Sequence, residues 1–188
     1  MQRCDQRGRR DRQVFRHQGN SRLHQRHSRS GGTTRPLMTS LEIADLPADR
    51  LPADLLAVPL YEDVRTLDGP VAAVDWRLDG LLTRMMTAGE LSGRKGEQLA
   101  LQGNHRFCAP WILVVGCGRW RAHDRDDYVE TVERIVKSGG KACTDVLGLC
   151  LPCSEAIPAG EAERIVREAL TGLRRPAVCR LSRVSRLA

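Results

Sequence analysis

From Met38 onward the apolar positions fall into runs that alternate between strand-like and helix-like spacing. Leu41 to Ile43 predicts a short strand. Leu55 to Leu60 is an almost unbroken apolar run of six, the length of a strand buried on both faces. Pro59 inside that run predicts an end or edge position, because proline brings no amide to a sheet ladder. Val71, Val74, Leu78, Leu81, Leu82, Met85 and Met86 then recur at three- and four-residue spacing, one face of a single amphipathic helix. Asp68 is placed to cap it, Pro70 suits its first turn and Gly89 its end. Gly80 lowers the stability of that helix by about 1 kcal/mol relative to Ala and is read as a point of close packing.

The stretch "GELSGRKGEQLAL" (89–101) joins this helix to a strand with Leu99 and Leu101 on one face. Phosphate cradles follow a strand and precede a helix, so this order argues for a connection instead. "PWILVVG" (110–116) is β-branched and uncharged, the clearest strand in the chain. Tyr128 or Val129, Val132, Ile135 and Val136 give a second helix, capped by Asp124 or Asp126 and stopped by Gly139-Gly140. "DVLGLCLP" reads as another buried strand. Ala162, Ile165, Val166, Ala169, Leu170 and Leu173 line a third helix. Strands alternating with helices imply a layered α/β domain with a mainly parallel or mixed sheet. Two strands in direct succession at its start suggest an antiparallel neighbour.

Charge changes the domain picture. The 188-residue chain has a formal charge of +7. Residues 1–37 hold ten Arg and two Asp, a net +8, and residues 174–188 hold five Arg and no acid. The span 38–173 is therefore left at −6. The expected organisation is an Arg-rich arm over 1–37 (disordered, or upstream of a true start at Met38), a folded domain over 38–173 and a basic tail over 174–188. In that tail Val178, Leu181, Val184 and Leu187 fall every third residue among Arg180, Arg183 and Arg186, as on an amphipathic basic helix. With seven aromatic residues in the chain, stacking platforms for nucleic acid are scarce. Only weak, salt-sensitive binding through the Arg tails is expected. No apolar run reaches the length of a membrane span, about 20 residues, and no secretory leader is visible at the N-terminus. With an odd number of Cys, seven, the expected setting is reducing and cytoplasmic.

Chemistry is sparse. Cys150-Leu-Pro-Cys153 stands at the end of a strand rather than at a helix N-terminus, and no second pair completes a zinc site. Gly116 and Gly118 follow the strongest strand, but Arg121 stands where a dinucleotide fingerprint needs its third Gly. Their backbone amides are the candidate binding site, for an anion, with a tight turn as the alternative. Asp124, Asp126 and Asp127 suit a helix start, and Asp75 and Asp79 a solvated helix face. No catalytic residue, metal ligand or cofactor is assigned.

The order of "ADLLAVPLYEDV", "LDGPVAAVDWRLDGLLTRMMTAGELSGRKGEQLAL" and "PWILVVGCG" resembles the N-terminal domain of the leucyl (cytosol) aminopeptidase family, over about residues 41–173. The resemblance implies a macro-like three-layer α/β fold, a mixed, mainly parallel sheet flanked by helices. It also implies a separate two-metal catalytic domain, whose Asn-Thr-Asp-Ala-Glu-Gly-Arg signature finds no match at Asn20 or Asn104, the two Asn of this chain. The expected function is thus non-catalytic: protein association, as a homo-oligomer or with a partner peptidase chain, or the accessory part of a split peptidase. The alternative is a macro-type domain binding ADP-ribose or a related nucleotide.

Overall fold

The computed structural model describes residues 39–63, 66–120, 124–142, 144–171, 173 and 177–184. The expected arm over 1–37 lies outside them. The described residues build one six-stranded sheet. In chain order its elements are β1 (Ser40–Ala44), β2 (Leu55–Tyr61), α1 (Gly69–Arg77), α2 (Leu81–Thr87), β3 (Gln98–Gln102), β4 (Trp111–Gly118), α3 (Arg125–Lys141), β5 (Val146–Cys150), α4 (Ala159–Ala169) and β6 (Val178–Ser182). The strand order is β1-β6-β5-β2-β4-β3, parallel except for β3 against β4. The mixed, mainly parallel α/β architecture expected from the sequence is thus present.

Alternation along β2 sorts its side chains into two cores. Leu55, Ala57 and Tyr61 pack with α3 and α4, joined by Leu113, Val115 and Cys117 of β4 and Leu147 and Leu149 of β5. Leu56, Val58 and Leu60 pack with α1 and α2, joined by Ile112 and Val114. Side chains on successive strand residues point to opposite faces, and burial of both faces explains the continuous apolar runs.

Several local expectations change. The antiparallel neighbour is β3, not β1: β1 pairs parallel with β6. The single helix over 69–88 is two helices. Gly80 adopts φ +75° and breaks the chain there, with Asp79 also left-handed at φ 55°. Asp75 is not a solvated face residue. It is 9 % exposed, and its carboxylate accepts from the Thr83 amide at 3.1 Å and the Thr83 hydroxyl at 2.6 Å. It thereby satisfies an amide at the start of α2, whose own N-cap, Gly80, offers no side chain. α3 runs through Gly139-Gly140 to Lys141. Gly139 serves packing instead, since a Cβ there would stand 2.7 Å from both Leu147 methyls. Val178–Ser182, read from the sequence as basic tail, is β6, hydrogen-bonded on both sides by β1 and β5. Cys179 and Leu181 face the core, while Arg180 pairs outward with Glu42 at 2.8 Å. Leu187 lies outside the described residues.

Candidate functional site

The three central parallel strands end on one side of the sheet, and β2 lies between neighbours whose following helices leave on the opposite face. α1 follows β2 on one face, while α3 follows β4 and α4 follows β5 on the other. Open α/β sheets leave a crevice where strand connections diverge in this way. Two prolines widen it. β5 pairs with β2 only as far as Ala57, opposite Leu149. Pro59 is therefore paired on one side alone, with Val115 of β4. This is how a proline sits in a central strand: locally it is an edge. Pro59 and Pro152 both line the resulting crevice, with Asp68, Gly69 and Pro70 at the start of α1. Asp68 caps that helix, accepting from the Gly69 amide at 2.6 Å.

At the β4 end, pairing skips a residue, so that Tyr61 stands opposite Gly118 and Cys117 is extra. Tyr61 and Trp120 meet there, ring centroids 4.7 Å apart and tilted by 57°. They separate the crevice from a second cleft of about 270 Å³, lined among others by Glu62, Lys95, Arg119, Asp127 and Thr131. The Tyr61 hydroxyl is buried, and among the described residues no group stands within hydrogen-bond geometry of it. Burial pushes its pKa well above the ordinary tyrosine value; Cys117 and Tyr128 push the same way and the Thr131 hydroxyl opposes them. Tyr128, on α3, donates to the Pro152 carbonyl at 3.1 Å and ties the two sides of the crevice together. The rim carries both signs: Arg119 lies 3.4 Å from Glu62, and Lys95 lies 2.6 Å from Glu130. Hydrogen bonding and charge from Lys95, with help from Arg134, hold the Glu130 carboxyl below its usual range.

Gly116 and Gly118 lie at this end of β4, but their amides face the chain itself. Gly116 donates to the Glu97 carbonyl at 2.7 Å and Gly118 to the Gly93 carbonyl at 2.8 Å. The Gly93–Glu97 turn thus occupies the donors that the sequence offered to an anion. A Cβ at Gly116 would meet the Arg94 carbonyl oxygen at 2.1 Å, and one at Gly118 the Lys95 Cγ at 2.9 Å. The turn is braced from within. The Glu97 carboxylate accepts from the amides of Ser92 and Gly93, at 2.9 and 2.6 Å, and from the Ser92 hydroxyl at 3.0 Å. Burial raises the Glu97 pKa, but those hydrogen bonds and the Arg94 amide outweigh it and leave it lowered.

Cys150 and Cys153 do not form a redox pair. Cys150 faces the α1 side of the sheet and Cys153 the α3 side. Burial raises Cys150 and Cys179 to about 12 and Cys117 to about 11, far from thiolate chemistry at neutral pH. Among the described residues, no group of three or more His, Cys, Asp and Glu could hold a metal ion. Cys143 and His123 fall outside those residues. No helix among them is long and apolar enough to cross a membrane. The sequence reading missed Tyr61, Lys95, Arg119 and Trp120. The available signal was two aromatic residues at strand ends, Tyr61 closing β2 and Trp120 two residues beyond β4.

The model of the cytosol aminopeptidase family's N-terminal domain matches residues 57–176. The chain belongs to that family. Probable cytosol aminopeptidases of Trichormus variabilis and Thermosynechococcus vestitus are 25% and 29% identical over 126 and 117 residues. Those matches cover 67% and 61% of this chain, and 26% and 23% of the relatives. The chain thus spans about a quarter of their length. Among solved structures, a tomato leucine aminopeptidase mutant superposes with TM-score 0.57 at 16% identity, over 77% of this chain and 32% of that one. The macrodomain of Thermus aquaticus DarG gives 0.55 at 14%, over 77% and 98%. A Trypanosoma brucei macrodomain in complex with ADP-ribose gives 0.51 at 17%, over 79% and 72%. These likenesses establish the macro-like three-layer fold.

Proposed function

We propose that this N-terminal aminopeptidase domain acts without catalysis of its own, by protein association, either with copies of itself or with an aminopeptidase catalytic domain that it accompanies. The observation that carries this reading is the Gly93–Glu97 turn across the end of β4. It takes up the Gly116 and Gly118 amides, the donors that the sequence offered to an anion. Family membership supports a role beside a peptidase centre. The two exposed tryptophans, Trp76 at 75 % and Trp111 at 47 %, supply the kind of side chain that anchors protein interfaces.

The test combines sedimentation of the purified chain, alone and with a separately expressed cytosol aminopeptidase catalytic domain, with leucine anilide hydrolysis in manganese or zinc and calorimetry with ADP-ribose. A complex or self-association with neither hydrolysis nor heat is expected. Hydrolysis by the chain alone would overturn the non-catalytic reading. Stoichiometric ADP-ribose binding would transfer the assignment to the nucleotide alternative, which the ADP-ribose-bound structural neighbour favours.

A further inference from the structure

We propose that the cleft between the ends of β2 and β4 and the first turns of α3 binds a free α-amino acid, its carboxylate taken by Lys95 and Arg119, its ammonium by Glu62 and Asp127, and its side chain resting on the aromatic wall. Four observations converge on a small zwitterion. The cleft measures about 270 Å³, just under the range of about 300–1,000 Å³ that suits drug-sized ligands. Among the described residues its charged lining is two cations, Lys95 and Arg119, and two carboxylates, Glu62 and Asp127. A ligand bearing both charges is matched, whereas a nucleoside diphosphate would meet the carboxylates of Glu62 and Asp127. Among the described residues no group stands within hydrogen-bond geometry of the Tyr61 hydroxyl, on a residue 7 % exposed, and Thr131 is the hydroxyl nearest in influence. Buried polar groups in proteins are otherwise hydrogen-bonded, and Tyr61 lines this cleft, so a small shift of the ring would let the hydroxyl meet a ligand oxygen there. Lys95 is also positioned for the task, because its stem lies over Gly118 in space that a Cβ would take.

The present rim pairs do not obstruct this. Lys95 with Glu130 and Arg119 with Glu62 are exposed ion pairs of the weak surface kind, and a ligand's charged ends can exchange with them. Tyr61 and Trp120 form the apolar wall, so aromatic and large aliphatic amino acids are preferred over glycine. The inference is independent of the association reading, since it concerns a different surface and a different readout.

Calorimetry of the full chain with L-phenylalanine and L-leucine tests it. For a ligand of this size a dissociation constant of roughly millimolar is expected. N-acetylphenylalanine and phenylalaninamide, each lacking one charge, should bind at least about tenfold more weakly. Tyr61→Phe keeps the ring and should retain the thermal midpoint while weakening phenylalanine by about tenfold. Arg119→Gln, on an exposed side chain, should weaken it by a comparable factor. Absence of heat well above millimolar amino acid, equal binding of the blocked forms, or unchanged affinity in both variants would each overturn the proposal. Heat from ADP-ribose that Tyr61→Phe and Arg119→Gln both weaken, while phenylalanine gives none, would assign the cleft to another ligand.

Discussion

A methyl group on Gly116 would stand 2.1 Å from the carbonyl oxygen of Arg94. The obstacle is backbone, not a side-chain end that could swing away. Gly116→Ala must therefore lift the Gly93–Glu97 turn off β4, a loss of about 3 kcal/mol by the scale of overpacked cores. Gly160→Ala, in α4 with open space around it, should instead be neutral or stabilise by up to about 0.5–1 kcal/mol. Urea midpoints at constant slope would separate the two, and equal midpoints would refute the close approach.

The braced carboxylate of Glu97 makes the same turn sensitive to acid. Its folded-state pKa lies below the unfolded value. The stability it contributes is then fully present above the ordinary carboxylate range and is lost as pH falls through the folded pKa. Acid titration of the thermal midpoint should show a smaller fall below about pH 4.5 in Glu97→Gln than in the parent. Parallel curves would show that the hydrogen bonds from Ser92 and Gly93 do not favour the charged form.

Asp75 and Asp79 share a helical spacing but not a role. Asp75→Ala removes the acceptor for both Thr83 groups and should destabilise the fold by about 1–2 kcal/mol. Among the described residues the Asp79 carboxylate makes only an exposed pair with Arg106, so Asp79→Gly, which also relieves its left-handed backbone, should change stability by less than about 0.5 kcal/mol. Chemical denaturation of the two variants side by side is the check.

Truncation after Leu173 tests the place of the last strand. β6 fills the sheet between β1 and β5, and Cys179 and Leu181 are buried. Its removal should abolish the cooperative thermal transition. A truncated chain that melts at the parent temperature would show that β6 is dispensable.

Buried thiols provide a further check. At pH 8 in native buffer, iodoacetamide should label the exposed Cys108 and spare Cys150 and Cys179, whose pKa values are raised to about 12. Peptide mass spectrometry after brief exposure reads each site, and early labelling of Cys150 or Cys179 would contradict their burial.

The sequence revealed most of the fold because its strands are unusually apolar. Leu55 to Leu60 and Ile112 to Gly116 have no polar face and are buried throughout. The last strand was less legible. Val178–Ser182 alternates inward Cys179 and Leu181 with Arg180, and the surrounding Arg density disguised a period of two as a helical period of three. The helix break at Gly80 was hidden because the apolar spacing continues across it. Only backbone sign at Asp79 and Gly80 distinguishes one helix from two. At the candidate site, Gly116 and Gly118 were visible in the sequence, but what their amides do depends on what packs against them. The partner turn is some twenty residues upstream, and no local pattern announces that it folds back onto them.

Pro59 and Pro152 lack the very atoms with which β2 and β5 would continue their ladder. The gap between the strands is thus a matter of covalent structure rather than of balance among weak forces. Variants that keep both prolines should keep the crevice open whenever they fold at all, while Pro59→Val is the substitution with which the protein could begin to zip its own groove shut.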